Sequence, residues 1–142
     1  MCQTVRNNPL LKGNIMKAIE VLEKAISLLE HKDLDGFMAL LTDDCVIMKD
    51  AGEELARGTA ELHAFYTPIF GGQADLKIEL GDQFSTGSVV AVREINHDMN
   101  VDGVMKEVDT VWIYKVINNK IAYMHVFSPD QESSDALDSV TS

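Results

Sequence analysis

Only two cysteines, Cys2 and Cys45, occur in the 142 residues. That is too few for a disulfide framework or a thiolate metal cluster, so both are expected as free thiols. No apolar run approaches the length that spans a bilayer, and Met1 to Lys17 lacks the apolar centre and small-residue cleavage site of a secretory signal. Cytoplasmic residence is the resulting expectation. Basic residues are scarce, with 12 Lys and Arg against 23 Asp and Glu and a net charge of −11. Such a chain repels phosphate backbones and anionic lipids, which argues against nucleic acid or membrane as a partner. There is no Gly-rich phosphate loop and no HExxH, and the four His residues are scattered, so neither cofactor nor metal is expected. A small molecule or another protein remains.

What is present fits one globular domain, with 46% hydrophobic and 25% charged residues. A single domain is expected over residues 15–128, between a flexible tail at 1–14 and an acidic, serine-rich tail at 129–142. Ile15, Ala18, Ile19, Leu22, Ile26 and Leu29 recur at helical spacing and predict a long amphipathic helix. Leu34, Phe37, Met38 and Leu41 predict a second, short helix with Asp33 as N-cap. A strand over Cys45 to Lys49 precedes a third helix that begins after Gly58 and shows Leu62, Phe65, Tyr66 and Ile69 on one face.

The remainder reads as strands: Leu76 to Phe84, Val89 to Val101, Val104 to Ile117 and Ile121 to Ser128. Asp102-Gly103 and Asn118-Asn119 are the dipeptides of tight antiparallel hairpins. Three helices followed by a long meander predict an α+β fold in which the sheet curls around the helices into a cone with a pocket. The opposite sheet face is expected to carry Trp112, Tyr114, Tyr123, His125 and Phe127. A face so apolar predicts a homodimer interface.

Asp109 is the first site candidate, an acid within the strand-forming run VDTVWIY. Alternation sets it with Val111 and Ile113. If that face lines a cavity, desolvation raises its pKa and keeps it protonated as a hydrogen-bond donor. Pairing with Arg93 or Lys115 is the structural alternative.

Asp33-Leu34-Asp35-Gly36, Leu40-Leu41-Thr42-Asp43-Asp44 and Arg57-Gly58-Thr59 leading to Phe65-Tyr66 resemble the ketosteroid isomerase and SnoaL-like branch of the nuclear transport factor 2 superfamily. The resemblance covers Ile15 to Ser128 and rests on helix ends and turns, which mark fold better than chemistry. It implies a cystatin-like, cone-shaped α+β barrel with a curved antiparallel or mixed sheet, usually dimeric. Its pocket would serve an isomerase, cyclase or epoxide hydrolase, or a non-catalytic ligand-binding or interaction module. In the isomerases a carboxylate base moves a proton while a tyrosine and a protonated aspartic acid hold the enolate oxygen. Carried over, Asp109 matches that acid, the base falls at Lys49 with Asp50 next to it, and the tyrosine falls at Ala25, which has no donor.

The resemblance also sets Arg93, Ile95, His97 and Met99 on the pocket side. His97 is then an acid or base beside Asp109, with Asp50 as a further candidate. Arg93 with Asp109 and Asp50 would alternatively activate water, or Arg93 and Asp109 would be an ion pair at the pocket mouth. A register slipped by one residue turns Glu94, Asn96 and Asp98 inward instead. The catalytic candidates are thus Asp109, His97 and Asp50. Expected contacts to a small lipophilic molecule are Met48, Lys49, Phe65, Tyr66, Arg93, Ile95, Met99, Val111 and Met124.

Overall fold

The computed structural model describes residues 16–71, 77–101 and 103–128, without the side chains of 98–101. Both expected tails and the side chain of Met99 lie outside the described residues. Helix α1 (Ala18–Glu30) buries Val21, Leu22, Ala25, Ile26 and Leu29 along one stripe. Its first turn is closed by the Glu20 carboxylate, which accepts from the Lys17 amide at 2.8 Å. Helix α2 (Leu34–Ala39) starts as predicted at Asp33, whose side chain accepts from the Gly36 amide at 2.9 Å and satisfies an orphan N–H. Helix α3 (Gly58–Phe70) buries Leu62, Phe65, Tyr66 and Phe70, holds Pro68 in its last turn and ends before Gly71. No helix among the described residues is long and apolar enough to cross a membrane.

The strands are β1 (Leu41–Lys49), β2 (Glu53–Arg57), β3 (Ile78–Thr86), β4 (Val89–Val101), β5 (Val104–Ile117) and β6 (Lys120–Phe127). They form one mixed sheet in the order β2-β1-β6-β5-β4-β3, in which only β1 and β6 run parallel. The sheet is curved and open, and the helices fill its concave side. Strand β2 was not expected, because its residues are mostly exposed and show no apolar alternation. It exists as an edge strand through pairing with β1. The Asn118-Asn119 turn forms as predicted, with both residues at positive φ (51° and 63°) and Ile117 opposite Lys120.

Two bulges decide which face each side chain takes. In the last hairpin Val116 pairs with Ile121, yet Lys115 pairs with Tyr123, so Ala122 is an extra residue. In the β4–β5 hairpin Asn96 pairs with Val108 and Met99 with Lys106, so residues 97 and 98 both oppose Glu107. Each insertion inverts the alternation beyond it. Trp112 and Tyr114 therefore share the concave face with Met124 and Val126, correcting their expected place on the outer face. Tyr123, His125 and Phe127 remain outside, together with Val111 and Ile113. On β4 the concave face belongs to Val90, Val92, Glu94 and Asn96, so Arg93, Ile95 and His97 face outward rather than into the cone.

The core between sheet and helices includes Leu22, Cys45, Ile47, Leu62, Ile121 and Met124, each at most 1% exposed. Burial pushes the Cys45 thiol up to about 12, which holds it in its neutral, unreactive form.

Candidate functional site

A cavity of about 90 Å³ lies between the concave sheet face and the helices. One water needs about 10–15 Å³ on this measure, so the space admits a compact molecule. Ile26 and Leu29 of α1 and Phe65, Tyr66 and Ile69 of α3 form one wall. Val108, Trp112 and Met124 form the sheet side, where the Trp112 and Tyr114 rings stack at 5.6 Å. The polar groups in this apolar lining are Glu94, Asn96, Thr110, Tyr114 and the Tyr66 hydroxyl.

Glu94 is the chemically distinctive group. It stands on β4 with Thr110 opposite on β5 and is 7% exposed. The Tyr114 hydroxyl donates to its Oε2. Burial pushes the carboxyl up to about 7, and the Tyr114 hydrogen bond offsets part of that rise by favouring the carboxylate. Burial also holds the Tyr114 and Tyr66 phenols well above their usual range, so both stay protonated donors. Tyr66 donates to the Met124 sulfur at 3.5 Å. A thioether is a weak acceptor, which leaves that proton readily redirected to a ligand oxygen. Thr110 Oγ1 accepts from Trp112 Nε1 at 3.0 Å and donates to the Glu94 carbonyl at 3.4 Å, fixing the indole against the strand.

The expected catalytic set is not assembled around this cavity. Asp109 sits on the outer face, where Arg93 Nε donates to Oδ1 at 3.0 Å and Nη2 to Oδ2 at 2.6 Å. Their side chains are 50% and 42% exposed for Arg93 and Asp109, and the Arg93 hydrogen bonds hold the Asp109 carboxyl below its usual range. It is thus a solvated carboxylate and not a protonated acid in poor solvent. His97 is clamped outside the cone, with Nε2 2.9 Å from Glu79 and Nδ1 2.7 Å from Glu107. Hydrogen bonds donated by the ring to Glu79 first, then to Glu107, raise its pKa.

Asp50 is a turn residue at φ 47°. Its Oδ1 accepts from the Ser128 amide at 2.9 Å and its carbonyl accepts from His125 Nε2 at 2.8 Å, so it ties the β1–β2 turn to the end of β6. Of the expected ligand contacts, Phe65, Tyr66 and Met124 line the cavity. Lys49 is buried without reaching it, and Met48 lies on β1 opposite His125. Ile95 and Val111 point outward, Val111 being 44% exposed. Among the described residues no three His, Cys, Asp or Glu side chains group to hold a metal ion.

Glu94 and Asn96 face inward as the slipped register set out, whereas Trp112 and Tyr114 were expected on the outer face and Thr110 was not singled out. A usable signal existed for Glu94, since it continues the apolar alternation of Val90 and Val92. The argument applied to Asp109 fits it equally well.

A model of the SnoaL-like domain matches residues 22–124. No curated protein matches the chain. Among solved structures, the epoxide hydrolase/cyclase-like enzyme SalBIII, described for pyran ring formation in the polyether salinomycin, is similar at 19% identity and TM-score 0.71, over 82% of this chain and 92% of that one. Rv0760c from Mycobacterium tuberculosis, in complex with estradiol-17beta-hemisuccinate, aligns at 24% identity and TM-score 0.64, over 77% and 91%. An uncharacterized cystatin-fold protein from Novosphingobium aromaticivorans aligns at 20% identity and TM-score 0.69, over 79% and 98%. Likeness at these identities establishes the shared cone fold.

Proposed function

This chain belongs to the SnoaL-like domain family, and on that premise we propose that it binds a compact, largely apolar carbonyl compound in the cone pocket and moves a proton on it with Glu94. The observation that carries this reading is the Glu94 carboxyl, buried in an apolar cavity with its pKa pushed to about 7. A base of that strength is half ionised near neutrality, where it takes and returns protons most effectively. In the proposed step the Glu94 carboxylate accepts a proton from the carbon next to the carbonyl. The C–H electron pair becomes a carbon–carbon double bond, and the carbonyl pair moves onto oxygen. The Tyr66 hydroxyl turns from the Met124 sulfur to that oxygen. Return of the proton, to the same carbon or a conjugated one, completes an exchange or an isomerisation. The steroid derivative bound by Rv0760c and the ring formation described for SalBIII support a ring-bearing apolar compound as the class.

The test is deuterium exchange at the carbons beside the carbonyl of cyclohexanone and its methyl derivatives, followed by proton NMR in heavy water. Exchange above the buffer rate that is lost in Glu94→Gln supports the reading. Binding without exchange identifies a non-catalytic ligand-binding protein, and absence of binding removes the pocket reading altogether.

The reading also includes a second copy of this chain against the outer sheet face. There Val111 and Phe127 are 44% and 37% exposed, and the His125 and Phe127 rings stack at 4.2 Å.

A further inference from the structure

Asn96 supplies information about the ligand that Glu94 does not. It lies two residues beyond Glu94 on the same face of β4, between Ile78 of β3 and Val108 of β5, and all four line the cavity. Its Oδ1 is buried and has no hydrogen-bond partner. The other such atom among the described residues, Ser128 Oγ, belongs to no part of the cavity lining. A buried carbonyl oxygen left unpaired is costly, and native proteins rarely retain one without a use. Residues two apart on a strand are separated by about 7 Å along it. A group that meets Asn96 therefore sits a few bonds from the carbon that meets Glu94.

We infer that the ligand is a hydroxy-ketone, whose hydroxyl donates to Asn96 Oδ1 while the carbon beside its carbonyl faces Glu94. The inference rests on the proton-transfer reading of the pocket and narrows it. Asn96 is the specificity residue in this arrangement. It accepts the hydroxyl proton, selects against analogues that lack one, and sets the ring so that the reacting carbon points at the carboxylate. Thr110 and Tyr114 have their hydroxyl protons committed to Glu94. Asn96 Oδ1 is the neutral buried acceptor of the lining with no hydrogen-bond partner.

Titration calorimetry with three ring ketones of similar size tests this. 4-Hydroxycyclohexanone offers a donor at the position opposite the carbonyl, cyclohexane-1,4-dione an acceptor, and 4-methylcyclohexanone neither. Wild-type protein should bind the hydroxy compound about tenfold more tightly than the methyl one, a difference of about 1.4 kcal/mol. Asn96→Leu should bind both equally. Its retained affinity for 4-methylcyclohexanone shows that the pocket still folds, and Asn96→Ala provides a second variant if leucine overfills the site. Equal binding of the hydroxy and methyl compounds by wild type overturns the inference and leaves the proton-transfer reading intact, as deuterium exchange on 4-methylcyclohexanone would then show. A preference that persists in both Asn96 variants, or tighter binding of the dione than of the hydroxy compound, also overturns it. Failure of all three to bind overturns the pocket reading and the inference together.

Discussion

The Tyr114 hydroxyl donates to Oε2 of Glu94 across the β4–β5 pair, joining the two groups that give the concave face its chemistry. That hydrogen bond favours the ionised form of a carboxyl which burial otherwise drives toward neutrality. Tyr114→Phe removes the donor and leaves the ring. The Glu94 pKa should then rise above about 7, and at pH values where Glu94 is ionised the fold should lose about 1–3 kcal/mol. Carboxyl NMR titration and urea unfolding at two pH values measure these effects, and an unchanged or lower pKa would contradict the assignment.

The buried acid also sets a pH dependence of stability. Its folded pKa, about 7, lies above the usual 4.5, so the folded state holds the proton more tightly than the unfolded chain. Stability is full below the unfolded pKa and falls as pH rises from about 4.5 to about 7, levelling off beyond, for a total of about 3 kcal/mol. Glu94→Gln is permanently neutral and should lack this decline. The difference between the wild-type and Glu94→Gln stability curves isolates it, and parallel curves would show that Glu94 does not titrate in this range. Proton-transfer activity follows the ionised fraction of folded Glu94 and rises with pH around its folded pKa of about 7.

On the outer face, Asp109→Asn should alter neither ligand affinity nor deuterium exchange, because the Arg93–Asp109 pair is half exposed and outside the cavity. Exposed ion pairs contribute little to stability. What contribution there is exists above the usual Asp pKa and fades as pH falls through the lowered folded value. Loss of exchange in this variant would return Asp109 to the reaction.

Self-association is read by sedimentation equilibrium. Wild type should sediment as a dimer, and Val111→Glu with Phe127→Glu as a monomer that still binds ring ketones, since both residues lie away from the cavity. A monomeric wild type would remove the second copy from the proposal.

Deletion of Ala122 should leave a folded protein. Without the extra residue Ile121 and Tyr123 pair one for one with Val116 and Lys115, so Met124 and Val126 stay against the helices and Tyr123, His125 and Phe127 stay outside. One alanine inserted between Lys115 and Val116 instead gives Ala122 a partner, turns Trp112, Tyr114, Met124 and Val126 away from the helices, and should abolish the native circular dichroism. A natively folded insertion variant would mean that the bulge does not set the face.

Much of the fold is legible in residues alone. The apolar stripe of α1, the Asp33 cap, the Asn118-Asn119 turn and the order of three helices before a meander are local consequences of helix period, capping and turn chemistry. Edge strand β2 is not legible, since its residues carry no period and are strands only because β1 supplies partners. Phe65 and Tyr66 reach the cavity as expected because a helix face is settled by sequence spacing. The side of a strand residue depends instead on every inserted residue between it and its partner. The extra Ala122 sets Trp112 and Tyr114 beside Met124 and Val126 rather than beside Tyr123 and His125, which turns Asp109 outward. The extra residue at 97 and 98 then pairs Glu94 with Thr110 and Asn96 with Val108 on the concave face and leaves Arg93 beside Val111 outside. A strand alternates with period two, so its sequence determines that two sets of side chains exist. Only the tertiary pairing, one residue longer on one strand than on the other, decides which set meets the helices.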